Sequence, residues 1–102
     1  MVTTFPQKVY ALCKQIPRGR VTTYGEIGNA LGGKGQVYRA VGAALNKNPF
    51  APQVPCHRVI NSNGFVGGFA NGTQQKIELL RKEGVEIIDG RVDVKKFLFR
   101  YI

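Results

Sequence analysis

"TTYGEIGNALGGKGQVYRAVGAALNKNP", residues 22–49, holds two short helical patterns separated by a glycine-rich turn. Thr23-Tyr24-Gly25-Glu26 has the Thr-x-x-Glu form of a capping box, in which cap and third helical residue satisfy each other's backbone N–H. The helix it opens carries Ile27, Ala30 and Leu31, and Gly32-Gly33 ends it. After the turn, Val37, Ala40, Val41, Ala44 and Leu45 recur at helical spacing, until Asn48-Pro49 breaks the pattern. Two such helices joined through "GGKGQ" make a helix-turn-helix arrangement.

The second of these helices is unusual. In "RAVGAAL", residues 39–45, Arg39 leads a face of Gly42, Ala43 and Ala44 with almost no side chains that read bases. Readout in the major groove calls for Arg, Asn or Gln along such a face. A smooth face suits close approach to a narrow minor groove. Gly42 and Ala43 would also allow tight packing of the helix within the protein, and taken by itself the face favours that reading.

Outward from this core the pattern stays short and helical. Thr4-Phe5-Pro6-Gln7 is another capping box with proline in the first turn, and Phe5, Val9, Leu12 and Ile16 follow at helical spacing until Pro17. Gln53 to Ile60 reads as mostly extended, with Pro55 interrupting any regular strand. Asn61-Ser62-Asn63-Gly64 is a turn that returns the chain through Phe65 and Val66, and "GGFANG", residues 67–72, is a flexible loop. Thr73 caps a helix with Ile77 and Leu80 inward and Gly84 at its end. Val85 to Val94 reads as a hairpin about Asp89-Gly90, before a short terminal segment, Lys95 to Tyr101. The expected fold is mainly α with a small β-hairpin: a winged helix-turn-helix-like single domain over residues 1–102.

Charge is distributed unevenly. The net charge is +9, and residues 1–60 hold eight Lys or Arg against one acid, Glu26, whereas residues 61–102 hold seven against five. A one-sided basic field points to a polyanion, nucleic acid first and membrane surface second, and a generally basic soluble surface would give the same numbers. No apolar run approaches the ~20 residues of a membrane span, and no basic-then-apolar leader follows Met1. An intracellular aqueous compartment is therefore expected, with no membrane association. With no secretion signal, Cys13 and Cys56 are expected as free thiols. Cys13 lies on the apolar pattern of "FPQKVYALCKQI" and reads as core. Two Cys and one His are too few for a closed zinc site without a carboxylate, so no metal is expected.

The remaining chemistry is in "VPCHRVI", residues 54–60, where Cys56 stands beside His57, the only histidine of the chain. A thiol attacks as thiolate and needs a group to take its proton. Neighbours in a strand point to opposite faces, so the two could cooperate only through a local kink, which Pro55 makes plausible, or a bridging water. By itself the pair reads more readily as a buried structural cysteine.

"PCHRVI" taken together with "RAVGAALNKNP", residues 39–49, resembles the active-site and recognition-helix motifs of the O6-alkylguanine-DNA alkyltransferase (methylated-DNA–protein-cysteine methyltransferase) family, in its C-terminal DNA-binding and active-site domain. The similarity runs from about Phe5 to about Glu86. It implies DNA repair: duplex DNA containing O6-alkylguanine is bound, the base is flipped out, and the alkyl group moves irreversibly to Cys56. His57, oriented by Glu83, would draw off the thiol proton through a water. Asn48 would brace the turn around the site, and Tyr24 would hydrogen-bond the flipped guanine and help proton transfer to its ring. Arg39 would fill the gap left by the base. Gly42 and Ala43 would meet the DNA backbone, with Arg58 and Lys76 as further DNA contacts, Lys76 beside the pocket. The backbone carbonyls of Cys56 and Val59 would recognise the exocyclic amine, and Leu45, Val59, Val66, Phe69 and Ala70 would line the pocket. The loop departs from the family's usual "GYSGG"-like form: Phe69 stands where a tyrosine is common and Ala70 where a serine is common.

The resemblance implies a single-turnover transferase without cofactor, monomeric, lacking the family's N-terminal domain. It implies a cytoplasmic, nucleoid-associated location, or a nuclear one in a eukaryote. The alternative is an alkyltransferase-like protein that binds O6-alkylguanine without transfer and recruits other repair factors. That branch is similarly short, but typically has tryptophan at the position of Cys56. A plain DNA-binding module is a third reading, in which Cys56 and Glu83 would be dispensable.

Overall fold

The computed structural model describes residues 4–32, 37–50, 53–67 and 73–101. Helix α1 (Phe5–Lys14) begins as the capping box requires: the Thr4 hydroxyl accepts from Gln7 N–H at 3.3 Å, and Gln7 Oε1 accepts from Thr4 N–H at 2.9 Å. Val9, Cys13 and Ile16 turn inward, while Phe5, expected on that face, is 38% exposed. Strand β1 (Thr22–Thr23) runs directly into α2 (Tyr24–Ala30). The Thr23 hydroxyl caps α2 by accepting from Glu26 N–H at 3.1 Å, and the Glu26 carboxylate lies 3.9 Å from Arg100 Nε. Helix α3 (Val37–Asn46) buries Val41, Ala44 and Leu45. Ala30 and Ala40, both expected inward, face solvent. Helices α1, α2 and α3 pack on one another, and the expected glycine-rich turn between α2 and α3 lies mostly outside the described residues.

The stretch before residue 60 is not extended. Cys56–Arg58 forms a 3-10 turn that leads into strand β2 (Val59–Ile60). Strand β2 pairs in parallel with β1, Thr22 opposite Val59 and Thr23 opposite Ile60. Consecutive strand residues point to opposite faces, and here they separate two apolar clusters. Val59 packs with Val9, Ile27, Val41 and Leu45, and Ile60 packs with Val21, Leu80, Val85 and Phe97. The terminal segment extends this arrangement through Val21: Val21 N–H donates to Phe97 O at 3.0 Å and Phe99 N–H to Val21 O at 2.7 Å.

The regular sheet is thus parallel rather than a hairpin. A hairpin turn does occur at Asp89-Gly90, where Ile88 and Arg91 exchange backbone bonds at 3.0 Å and both turn residues have positive φ, as a two-residue primed turn requires. Arg91 also bridges to Phe65, and Val92 N–H donates to Gly64 O at 2.8 Å. Gly64 has φ +93°, and a Cβ there would meet Val92 O at 2.8 Å, so only glycine fits that approach. Helix α4 (Thr73–Lys82) and the short α5 (Val94–Phe97) complete five α-helices among the described residues, none long and apolar enough to cross a membrane.

Candidate functional site

Pro55 creates the kink that brings thiol and imidazole into one element. Its φ of −81° and ψ of 69° are those of an inverse γ-turn, closed by Cys56 N–H donating to Val54 O at 2.8 Å. The 3-10 turn follows at once, with Arg58 N–H bonded to Pro55 O at 2.9 Å. Cys56 and His57 therefore project from a tight helical turn and not from opposite faces of a strand. Asn48 holds the approach to this turn. Its Nδ2 donates to Val54 O at 2.8 Å and its Oδ1 accepts from Phe50 N–H at 2.9 Å.

The two thiols are in different environments. Cys13 is fully buried, and desolvation, with Cys56 adding to it, pushes its thiol up to about 12, which leaves it inert. Cys56 is free and half-buried, reachable from solvent.

His57 is 4% exposed, and its Nε2 lies 3.1 Å from Glu83 Oε2. Burial pushes Glu83 up, but hydrogen bonds from Arg58 and His57 outweigh it and hold the carboxyl below its ordinary value. An ionised carboxylate only accepts, so the imidazole proton sits on Nε2 and Nδ1 is the basic nitrogen. Burial lowers the imidazole below its ordinary value, against the opposing pull of Glu83, so His57 is neutral and able to take a proton. Glu83 itself is not a solvated helix end: its side chain is 10% exposed.

Arg58 and Lys76, expected as DNA contacts, are both turned inward. Arg58 places Nε 2.9 Å from Glu83 Oε1, Nη2 2.6 Å from Glu83 Oε2 and Nη1 2.8 Å from Ile16 O. Three of its five N–H groups are thus committed inside the protein. Lys76 is 1% exposed, with Nζ 5.8 Å from the Tyr24 ring centroid. Desolvation lowers its ammonium to about 8, against a raising influence of Cys56. Tyr24, at the start of α2, is half-buried, and desolvation raises its phenol, which stays protonated and able to donate. Tyr24 and Gly25 line a recess of about 250 Å³ with Asn61 and Ser62.

Helix α3 presents Arg39 and Ala43 outward, with Gly42 half-exposed between them. A Cβ at Gly42 would have nothing within 4 Å among the described residues, so this face is not occupied by tight internal packing there. Leu45, Val59 and Val66 are 5%, 0% and 1% exposed. Their side chains lie in the two apolar clusters, Leu45 and Val59 in one and Val66 in the other. Phe69 and Ala70 lie outside the described residues. Among the described residues, no group of three or more His, Cys, Asp and Glu could hold a metal ion.

The sequence fits the family model of the 6-O-methylguanine DNA methyltransferase DNA binding domain over residues 4–85. The chain is 44% identical over 91 residues to a bifunctional methyltransferase/endonuclease of Picrophilus torridus, covering 89% of this chain and 30% of that protein. It is 48% identical over 82 residues to a methylated-DNA–protein-cysteine methyltransferase of Shigella flexneri, covering 80% of this chain and 47% of the relative. The chain thus spans less than half the length of these relatives. Among solved structures, S. pombe Atl1 in complex with damaged DNA containing O6-carboxymethylguanine superposes with a TM-score of 0.84 at 33% identity, covering 95% of each chain. Mycobacterium tuberculosis OGT in complex with DNA gives 0.74 at 42% identity, covering 81% of this chain and 51% of that one. These matches identify a DNA-binding domain and do not support the C-terminal placement expected from the sequence.

Proposed function

The chain belongs to the 6-O-methylguanine DNA methyltransferase family through its DNA-binding domain, and we propose that it repairs duplex DNA by transferring the alkyl group of O6-alkylguanine to Cys56. One observation carries this reading: a reachable free thiol adjoins a buried neutral imidazole whose other nitrogen is held by an ionised carboxylate. A DNA-binding module with no chemistry has no need of that arrangement.

The proposed course follows from the geometry. The alkylated oxygen is hidden in the duplex, so the base is flipped out, at a cost of a few kcal/mol of stacking. Arg39, exposed at the start of α3, fills the vacated stack, and the smooth Gly42–Ala43 face lies against the backbone of a narrow groove without reading sequence. This makes the domain a winged helix-turn-helix in use, with the turn at Asp89-Gly90 as its wing. The Cys56 proton passes to His57 Nδ1 through a water. The sulfur attacks the O-bound carbon in line; an S–C bond forms as the C–O bond breaks, and the electron pair goes to guanine. The Tyr24 phenol donates toward the departing base, and general acid assistance of this kind contributes ~10²–10⁴-fold. The thioether is not reversed, so each molecule acts once. Such a protein works where DNA is held, in a bacterial or archaeal cytoplasm or a nucleus.

A second reading rests on the superposition with Atl1, which spans 95% of both chains: binding of O6-alkylguanine without transfer. The presence of Cys56, where the alkyltransferase-like branch typically has tryptophan, weighs for transfer. Intact-protein mass after incubation with duplex DNA carrying one O6-methylguanine separates the two. Transfer adds one methylene mass, mapped to Cys56 and absent in Cys56→Ala. Tight lesion-selective binding with no mass gain would replace the transferase reading with the second one.

A further inference from the structure

Glu83 has two effects on His57 that conflict. Its carboxylate orients the imidazole by accepting from Nε2–H, and as an anion at 3.1 Å it favours the protonated ring. A protonated ring could not take the thiol proton. Burial does most to keep the ring neutral, and positive charge adds to it. Arg58 forks onto both Glu83 oxygens, at 2.9 and 2.6 Å, and its third bond, to Ile16 O at 2.8 Å, fixes the guanidinium against the end of α1. Lys76 enters from α4, on the same helix face as Leu80 and in phase with Glu83 two turns later. It is buried beside Tyr24 and lies within electrostatic reach of both His57 and Cys56. The charged groups acting on His57 are thus Glu83 and Lys76, from α4 and its end, and Arg58 on its own turn, with Cys56 adjacent.

We propose that Arg58, seconded by Lys76, is a positioning residue that lets Glu83 orient His57 without protonating it, keeping the base neutral beside an ionised carboxylate. The two basic side chains expected on DNA serve the proton relay instead. This rests on the proposed transfer reaction for its purpose, but not for its test.

The chain has one histidine, so the imidazole protons in an NMR pH titration of the DNA-free protein report His57 without assignment. Wild type is expected to titrate below the ordinary midpoint of about 6.5. Arg58→Met removes the neutralising charge, and the midpoint should rise by about one pH unit. Arg58→Lys keeps a charge without the fork and should stay near wild type. Lys76→Met should also raise the midpoint, and it carries the test together with Arg58→Lys if Arg58→Met does not fold. A midpoint that is the same in wild type, Arg58→Met and Lys76→Met overturns the proposal, as does a rise in Arg58→Lys as large as in Arg58→Met. In a protein that transfers, the acid limb of the transfer rate should move with the midpoint, which a purely structural role would leave in place. If the titration behaves as expected and Cys56 gains no methyl group, only the transferase reading falls.

Discussion

Asn48 and Val54 are joined by a hydrogen bond of 2.8 Å, from Nδ2 to the carbonyl that also accepts from Cys56 N–H to close the γ-turn at Pro55. One side chain beyond the end of α3 therefore sets the stretch that presents the thiol. Asn48→Ala leaves a group at the 2% exposed Val54 short of a partner. It should cost about 1–3 kcal/mol, seen as a lower urea midpoint, and should slow alkylation of Cys56. Asn48→Asp keeps the acceptor for Phe50 N–H but sets a carboxylate oxygen against the Val54 carbonyl, so a loss at least as large is expected. Unchanged stability in both variants would show that the turn holds without the brace.

The two thiols should respond very differently to iodoacetamide. Native protein near neutral pH should be labelled once, at Cys56, because Cys13 is fully buried with its thiol pushed up to about 12. Adding denaturant should expose the second site. Peptide mapping that finds Cys13 labelled as fast as Cys56 in folded protein would contradict the assignment of Cys13 to the core.

What could be read from the chain was what local chemistry decides. The Thr4–Gln7 capping box, the start of α2 at Thr23 and the Asp89-Gly90 turn each depend on residues within a few positions. The β1–β2 pairing was not readable, because two-residue strands carry no periodicity and Thr22 meets Val59 only through the tertiary fold. Pro55 signals a kink but not its form, and a 3-10 turn stands where mostly extended chain is expected. Arg58 and Lys76, expected as DNA contacts from the resemblance, have side chains turned inward, whereas basic side chains default to the surface. A signal was present for Lys76, which lies four residues before Leu80 on the inward stripe of α4. For Arg58 there was none, since its partners Glu83 and Ile16 are distant in sequence.

The outward face of α3 can be separated from its packing role. A Cβ at Gly42 meets nothing within 4 Å among the described residues, so Gly42→Ala should fold and gain about 0.5–1 kcal/mol from helix propensity. Gly42→Leu should also fold, but should weaken binding to any duplex, because a large side chain holds the DNA backbone away. Arg39→Ala should leave stability unchanged and impair capture of a flipped base more than binding of undamaged duplex. Titrations with matched lesion and control duplexes at one salt concentration distinguish these effects. Wild-type affinity in Gly42→Leu would move the DNA-binding surface off this helix.

Lys76 should leave a mark on stability at alkaline pH. Its folded value is lowered from 10.5 to about 8, so below that window it carries its proton in both states. Between about 8 and 10.5 the unfolded chain holds the proton and the folded protein sheds it, so the unfolded state binds more protons and stability rises with pH. Cys13, Tyr24 and Tyr101, all raised on folding, act in the opposite direction above their ordinary values. Those three are common to wild type and Lys76→Met and cancel in the difference. Wild type should therefore gain on the variant by about 1.4 kcal/mol per pH unit across the window, on the order of 3 kcal/mol in all. Urea unfolding of both proteins at several pH values measures that gap directly. A constant gap would mean that the ammonium is not destabilised by its site and that Lys76 keeps its charge throughout this range.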